Sequence, residues 1–355
     1  MELGANFLSA LKQLSEERNL SEEIILSSVE AALALAYRKY KEGRLDPVVH
    51  IDRTTGDISI FDVRRASDDP TDSEISLEEA RALGYENVQP GDPVQIPVLD
   101  HPGSFGRIAA QTARQVITQR LKDAEREIIY NEFNDKIGNL ITAPIFKAEN
   151  DQVMIRLSER NEAVLPKEER IAGEVYTPGE SKKFFLLDVR QTGRGPRIVV
   201  SRTHPGLLRK LLELEIPEIQ DGTVEIKGIV REAGARAKVA VASTDPAVDP
   251  VGACVGSSGA RIKNISSDLC DEKIDIIIWD PDPLEYIKNA LSPAKITSAE
   301  AVEGQERTAR VYAPADQLSL AIGKAGQNVR LAARLTGWKV DINATPDGNS
   351  REEQA

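Results

Sequence analysis

The sequence predicts an α+β protein of several domains, in which a mixed N-terminal domain precedes a five-stranded barrel and two copies of one α/β unit. Residues 107–133 contain neither Pro nor Gly, which predicts one long connecting helix of about 40 Å at 1.5 Å per residue. After Gly138 the pattern changes to short β-prone runs, and beyond residue 205 one series of helices and strands occurs twice. The length of 355 residues also exceeds what a single core usually supports.

The N-terminal domain is predicted at residues 1–135. Apolar residues recur at helical spacing from Ala5 to Lys41, which predicts two helices, the second beginning after Ser21. The stretch PVVHIDRTTGDISIFDV predicts a hairpin, SLEEARALG a helix with Ser76 and Glu79 as its capping box, and GDPVQIPV a strand. This part has 15 Lys and Arg against 25 Asp and Glu, which is typical of a domain with a basic protein partner and equally of a solvated surface.

A closed barrel of the OB type is predicted at residues 136–204. Its five β-prone runs, separated by turn residues, are NLITAPIFKA, QVMIRLS, EAVLP, KKFFLLDVR and RIVVSR. A small sandwich of two sheets is the structural alternative for the same runs. This part has 12 Lys and Arg against 9 Asp and Glu, so its net charge is positive although that of the whole chain is −12.

The rest of the chain consists of two similar units, predicted at residues 205–281 and 282–345, and a disordered tail at 346–355. Each unit contains a strand pair, a short helix, a turn bounded by two glycines, a second helix and a last strand. Gly256 and Gly323, which open the two turns, are 67 positions apart. The matching order of elements indicates one duplicated unit.

A turn bounded by two glycines and followed by a helix is suited to hold phosphate. Glycine allows close approach of another molecule, and the start of the following helix offers unpaired N–H groups. In KH domains such a GxxG turn holds the sugar-phosphate backbone of about four nucleotides. The predicted RNA-binding residues are Gly256, Ser257, Ser258, Gly259, Arg261, Lys263, Gly323, Lys324, Ala325, Gly326, Arg330 and Arg334.

Other interpretations of these turns compete with RNA binding. A lone GxxG is usually an ordinary turn or a close helix contact, and basic residues on a helix are usually a solvated face. Two copies of the turn, each within the same order of helices and strands, favour a role in binding a ligand. A helix-turn-helix that binds DNA would explain SLAIGKAGQNVRLAARL, but it leaves the strand WKVDI and the preceding strand pair unexplained.

Several function classes find no support in the sequence. No stretch matches GxxxxGK[ST], GxSxG or HExxH, and no active site is predicted. The three histidines lack zinc-ligand spacing, so no metal site is predicted. Cys254 and Cys270 lie in apolar-periodic stretches, which predicts buried, reduced thiols. Neither a secretion signal nor a membrane-spanning run is found, so a cytoplasmic protein is expected.

Six stretches closely resemble the NusA family of bacterial transcription termination/antitermination factors. They are FGRIAAQTARQVITQR, SRTHPGLLRKLLELEIPEI, DGTVEIKGIVREAGARAKVAV, VDPVGACVG, EKIDIIIW and NALSPA. The resemblance implies an N-terminal RNA polymerase-binding domain, an S1-type OB β-barrel and two tandem KH domains of type II that hold emerging transcript. It implies a monomer without a cofactor that modulates pausing, termination and antitermination. The implied partners are RNA polymerase core enzyme, nascent single-stranded RNA and other elongation or antitermination factors, with no membrane.

Two features depart from the family pattern. S1-type domains usually carry aromatic residues on their RNA-facing strands, whereas KAENDQVMIRL has none. Phe146, Phe184 and Phe185 are the candidates that are left, with a role in the core as their alternative. The chain given ends in TPDGNSREEQA soon after the second unit, so the acidic C-terminal repeats of some relatives are not expected.

The sequence is also compatible with two other functions. A phosphorolytic exonuclease also carries KH and S1-type domains, but it would need a large catalytic domain, for which residues 1–135 are too short. A ribosome-assembly RNA chaperone would bind RNA without contacting RNA polymerase. A pull-down with core polymerase separates the chaperone from the transcription factor.

Overall fold

The computed structural model describes most of the chain. The described residues are Lys12 and the ranges 21–43, 45–98, 106–159 and 161–345. Apart from Lys12, the first of the two predicted N-terminal helices lies outside these residues, as does the predicted tail at 346–355. The chain divides into two compact units, Met1–Ile129 and Tyr130–Ala355, and each is described by itself.

The N-terminal unit is built around a four-stranded sheet in which β2 pairs with each of the other three strands. The elements from residue 22 to residue 134 are α1 (Glu22–Tyr40), β1 (Pro47–Ile51), β2 (Ile58–Ser67), β3 (Glu74–Ser76), α2 (Leu77–Ala82), β4 (Pro93–Pro97) and α3 (Gly106–Asn134). The predicted hairpin is β1 and β2, which run antiparallel. The predicted helix after it, the further strand and the long helix are found as α2, β4 and α3.

The periodicity of α1 explains its packing. Its apolar residues at three- and four-residue spacing are buried against the first two strands, and each buried aliphatic side chain contributes about 2 kcal/mol. The buried cluster is Ile25, Leu26, Val29, Leu33, Tyr37, Val49, Ile51 and Ile58. The capping box of α2 is present: the Ser76 hydroxyl accepts a hydrogen bond from the Glu79 amide, and the Glu79 carboxylate accepts one from the Ser76 amide.

A closed five-stranded barrel opens the second unit. Its strands are β5 (Leu140–Ala148), β6 (Gln152–Arg156), β7 (Glu162–Pro166), β8 (Ser181–Thr192) and β9 (Gly195–Ser201), with a 3-10 turn at Lys167–Glu169. The sheet closes in the order β5-β6-β7-β9-β8. Alternate residues such as Val153 and Ile155 point inward and are buried. The barrel predicted from the five runs is confirmed, and the sandwich alternative is wrong.

The two repeated units follow the barrel. The first contains α4 (Pro205–Glu215), α5 (Pro217–Gln220), β10 (Val224–Glu232), β11 (Arg236–Ser243), α6 (Pro250–Val255), α7 (Ala260–Asp268) and β12 (Lys273–Ile278). The second contains α8 (Pro283–Ala290), β13 (Ser298–Ala301), β14 (Thr308–Ala313), α9 (Leu318–Ile322), α10 (Gln327–Thr336) and β15 (Lys339–Ala344). A short 3-10 turn separates the paired helices in each unit, at Ser257–Gly259 and Lys324–Gly326.

The two repeated units have the same sheet topology. In each, the first two strands are antiparallel, and the last strand returns through the helix pair to lie parallel to the second. The helix pair is therefore the crossover of a parallel connection, as a mixed α/β unit requires. This architecture confirms the predicted duplication.

A shared core and the buried guanidinium of Arg202 join the barrel to the first repeated unit. Ile171 and Phe185 of the barrel pack into the same apolar cluster as the leucines of α4. The guanidinium of Arg202 donates to the carboxylate of Glu174 and to the main-chain oxygens of Lys183 and Asp268. A buried, fully bonded guanidinium of this kind fixes its surroundings, because each broken contact would leave a buried group unsatisfied.

The first and second repeated units also pack against each other. Ile277 of β12 lies in the apolar cluster of the second unit. Leu335 of α10 covers Gly228, where a Cβ atom would lie 3.1 Å from the Leu335 Cδ1 atom. The buried Lys238 ammonium donates to the main-chain oxygen of Ser292 at 2.8 Å, so a cation of the first unit holds the segment after α8.

The structure corrects one expectation about the cysteines. Cys254 is buried as predicted, but Cys270 is exposed. Helix α7 ends at Asp268, and Leu269 takes the buried position that follows it. Cys270 then adopts a φ of 59° in the turn that leads to β12.

Candidate nucleic-acid interface

The two glycine-bounded turns have the same backbone conformation. Their φ angles are 74°, 53° and 77° at Gly256, Ser258 and Gly259, and 76°, 52° and 71° at Gly323, Ala325 and Gly326. A non-glycine residue thus occupies the left-handed region in both copies. Such a conformation costs on the order of 1–3 kcal/mol and is found mostly where a surrounding structure or a ligand requires it.

The two glycines of each turn meet different surroundings. A Cβ atom at Gly256 would lie 2.8 Å from the Arg261 Cγ atom, and one at Gly323 would lie 2.8 Å from the Asn328 main-chain nitrogen. At Gly259 and Gly326 the nearest atom would be 4.0 Å away. The first glycine is therefore required by the following helix of the same chain, whereas the second leaves its outer side open to another molecule.

Both turns lead into helices whose first N–H groups have no side-chain cap. Helix α7 has Gly259 at its N-cap and α10 has Gly326, and neither position provides a side-chain hydrogen bond. The first amide of each helix, Ala260 or Gln327, donates to the main-chain oxygen of Ser257 or Lys324 in the turn. The first N–H groups of a helix have no partner within the helix, and the helix dipole adds positive potential there. An anion at this position gains both hydrogen bonds and favourable electrostatics.

Arg261 and Asn328 hold the helices around each turn together. The Arg261 guanidinium donates to the Ala253 main-chain oxygen at 2.5 Å and to the Glu218 carboxylate at 2.8 Å. The buried Asn328 amide donates to three main-chain oxygens, those of Leu291, Leu320 and Ala321. Arg261 was predicted to attract phosphate, and the structure shows its guanidinium bonded to its own unit.

The remaining predicted cations are more accessible. Lys263, Lys324 and Arg334 are exposed, as are Ser257 and Ser258. Neither lysine forms a hydrogen bond or ion pair with any residue that the structure describes. Each lysine can therefore meet a phosphate without first losing a partner in the protein.

Arg330 lies in a different environment from its counterpart Lys263. Its Nε atom donates to the Glu232 carboxylate of the first repeated unit at 2.8 Å, and its Nη1 atom donates to the Ala325 oxygen in the turn at 3.3 Å. Gln327, the first residue of α10, donates to the same carboxylate at 2.8 Å. The hydrogen bonds from Arg330 and Gln327 lower the pKa of Glu232, so this carboxyl is ionised at neutral pH.

Sequence reasoning missed Glu232, Gln327 and Asn328. Asn328 follows the second GxxG turn closely. It is a polar residue at a position that helical periodicity places on the buried face of α10, and this could have identified it. Glu232 carried no such signal, because it lies in a different unit and 95 positions away from Gln327. Only the packing of the two units brings these residues together.

The three aromatic candidates in the barrel divide into two groups. Phe184 and Phe185 are buried, and the Phe185 ring stacks on the His204 ring at a centroid distance of 4.6 Å. Phe146 is 44% exposed, and the Arg156 guanidinium lies 3.8 Å from its ring centroid. Of the three, only Phe146 is accessible to a nucleobase.

Neither a metal site nor a membrane-spanning helix is found in the part of the chain that the structure describes. No group of three or more His, Cys, Asp or Glu residues there has the arrangement of a metal site. None of the helices described there combines the length and the apolar character needed to cross a membrane.

Three family models match the chain. The NusA N-terminal domain matches residues 6–127, the NusA-like first KH domain residues 202–279, and the NusA-like second KH domain residues 283–350. The last two matches contain the two glycine-bounded turns. The predicted tandem KH domains are thereby confirmed.

The chain is similar to several proteins named transcription termination/antitermination protein NusA. The protein of Bacillus subtilis is 46% identical over 347 residues, which cover 97% of this chain and 92% of that protein. The protein of Thermus thermophilus is 44% identical over 350 residues, covering 95% and 89%. The solution structure of the N-terminal domain of NusA from B. subtilis is 42% identical and covers 34% of this chain and 95% of that chain, with a TM-score of 0.29. The chain therefore belongs to the NusA family of transcription termination/antitermination proteins.

Proposed function

We propose that this protein is a transcription elongation factor that binds RNA polymerase and nascent RNA and thereby modulates pausing, termination and antitermination. The observation that carries the proposal is the pair of matching turns, each with an open second glycine and an uncapped helix start. The names of its relatives support the same function.

The proposed domains divide this work between two partners. Residues 1–135 dock on RNA polymerase core enzyme, and residues 136–204 form an S1-type barrel that contacts RNA. Residues 205–281 and 282–345 are the two KH domains that hold the transcript. Docking of the first domain raises the effective concentration of the others beside the emerging RNA, so that weak contacts to phosphate suffice.

At each turn, the main-chain amides at the start of the following helix donate to a phosphate of the RNA backbone. Lys263 and Lys324 add charge beside the first and second turn, and Ser257 and Ser258 add hydroxyl donors at the first. These contacts do not distinguish between bases, which suits a protein that must hold transcripts of many sequences. RNA held at the turns cannot move or fold as it does without the factor, and this changes the duration of a pause.

In this proposal the protein is a cytoplasmic binding factor and not an enzyme. The exonuclease alternative makes a separate prediction, because it would shorten labelled RNA in the presence of phosphate and magnesium. The chaperone alternative would leave core polymerase unbound in a pull-down. Both assays use the intact protein. RNA that keeps its length excludes the exonuclease, and binding of core polymerase excludes the chaperone.

The proposal is tested by Lys324→Asp, which places a negative charge beside the second turn. We expect at least a fivefold loss of affinity for single-stranded RNA at fixed salt, since one attraction becomes a repulsion, and no loss of polymerase in a pull-down. Lys122→Asp is the matched control for RNA binding alone, because Lys122 is an exposed residue of α3 in the proposed polymerase-docking domain and outside the RNA-binding domains. Equal RNA affinity of the two variants would refute the site.

A further inference from the structure

Glu232 links the two repeated units at the second turn. This carboxylate belongs to the last residue of β10 in the first unit, yet both of its oxygens are bonded to α10 in the second. One oxygen accepts from Gln327 and the other from Arg330, each at 2.8 Å. Arg330 in turn donates to Ala325 within the turn. An internal anion therefore lies beside the start of the helix where the RNA backbone is proposed to bind.

The main chain on both sides of Glu232 is held rigidly. Its neighbour Arg231 is fully buried and donates both Nε and Nη2 to the equally buried carboxylate of Glu272. Arg231 also donates to the main-chain oxygen of Arg202. On the other side, the Gly234 amide donates to Glu272 at 2.8 Å. The first unit thus sets the position of the Glu232 main chain, and with it the distance that the carboxylate can reach.

At the first turn the nearby carboxylate meets a different position: Glu218 pairs with Arg261, the counterpart of Asn328. Lys263 occupies the position of Arg330, 67 residues earlier, and it forms no ion pair with any described residue. Two turns with the same backbone conformation therefore differ in their electrostatics. Lys263 beside the first turn is available to phosphate, whereas its counterpart Arg330 beside the second is paired with a carboxylate of the same protein.

The ion pair is accessible enough to be exchanged. The Arg330 side chain is 51% exposed and that of Glu232 is 25% exposed. Exposed ion pairs are weak, and a guanidinium binds phosphate in the same forked geometry as carboxylate. A phosphate that reaches Arg330 must replace the Glu232 carboxylate or bind beside its negative charge, and either event weakens RNA binding.

We propose that Glu232 is an internal competitor of RNA phosphate at the second turn, which lowers the affinity of the second KH unit below that of the first. This inference rests on the proposed function, because it concerns the strength of the same RNA site. Its consequence is that the two turns hold RNA unequally: the first engages the backbone directly, and the second does so only by displacing a carboxylate. Transcript can then be released from the second turn more readily than from the first.

The test compares four full-length variants for binding of a fluorescein-labelled, mixed-sequence RNA twelve nucleotides long. Glu232→Gln keeps the size of the side chain and removes its charge, so we expect about three- to tenfold tighter binding at low salt. The slope of log affinity against log salt concentration should become steeper by about 0.7, the value for one additional phosphate contact on a single strand. Lys263→Gln should weaken binding more than Arg330→Gln does.

The double variant Glu232→Gln/Arg330→Gln identifies the cause of the gain. If the released guanidinium binds phosphate, the tightening caused by Glu232→Gln is lost in this variant. Unchanged or weaker binding by Glu232→Gln, or the same gain with and without Arg330, would overturn the inference while leaving RNA binding itself intact. If neither the unmodified protein nor Glu232→Gln binds the RNA, the proposed function fails together with the inference.

Discussion

Arg261 and Asn328 occupy the same position in the two repeated units and bind the same part of the preceding helix, although one is a cation and the other a neutral amide. Arg261 donates to the oxygen of Ala253, and Asn328 donates to that of Leu320, its counterpart 67 residues later. The helix pair around each turn is therefore closed by a side chain at this position. The residue types differ because Asn328 is buried, whereas Arg261 is partly exposed and reaches Glu218.

This relationship predicts that Asn328→Ala destabilises the second unit. The substitution removes a donor from the oxygens of Leu291 and Ala321; the Leu291 oxygen still accepts from the Ala294 amide, whereas a buried oxygen left unsatisfied costs about 1–3 kcal/mol. We expect a loss of about 3 kcal/mol in the free energy of unfolding, measured by urea denaturation. Arg261→Ala should cost less, because water can reach its site. Equal losses for the two variants would show that burial does not distinguish them.

The two glycines of the second turn should respond differently to alanine. In Gly323→Ala the new methyl group would meet the Asn328 backbone at 2.8 Å, whereas in Gly326→Ala it would meet only Val329 at 4.0 Å. Both variants carry the strain of a positive φ, about 1 kcal/mol. Melting temperatures should therefore fall clearly further for Gly323→Ala. A larger fall for Gly326→Ala would contradict the assigned roles.

The buried pair of Glu174 and Arg202 predicts a dependence of stability on pH. Burial raises the pKa of Glu174, but the hydrogen bonds and charge of Arg202 outweigh burial and bring the net pKa below its usual value. A carboxyl with a lowered pKa stabilises the fold above the pKa of the unfolded chain, about 4.3, and this contribution is lost as the pH falls through the folded value. Urea midpoints should therefore decrease as the pH is lowered below about 4.

Glu174→Gln provides the check on this assignment. The variant should be less stable at neutral pH by about 3–5 kcal/mol, because Arg202 remains buried without its counter-charge. Its stability should also depend less on pH below 4 than that of the unmodified protein. Glu168→Gln is the control, since Glu168 is exposed. An identical pH dependence in all three proteins would rule out Glu174 as the source.

The cysteines should differ in their reaction with a thiol reagent. Cys270 is exposed and Cys254 is buried. Burial raises the pKa of the Cys254 thiol to about 11, and burial together with Glu174 raises that of Cys270. One thiol should therefore react in the native protein, faster at higher pH, and two after denaturation. Reaction of both thiols at the same native rate would contradict the burial of Cys254.

The sequence was sufficient to predict most of the described elements and both turns, because these depend on local patterns, but β3, α4 and α5 were not predicted. Ser76 and Glu79 predicted their capping box, and the spacing of Gly256 and Gly323 predicted two turns of one conformation. What it could not predict depends on packing between distant segments. The bond from Arg330 to Glu232 requires the two repeated units to meet. The exposure of Cys270 accompanies the burial of its neighbour Leu269.

The most direct test of the account is a structure of the protein with a single-stranded RNA oligonucleotide long enough to reach both turns. We expect a backbone phosphate within hydrogen-bonding distance of the main-chain amides that follow Gly259 and of those that follow Gly326. An oligonucleotide bound elsewhere on the protein, with both turns bare of phosphate, would contradict the central claim.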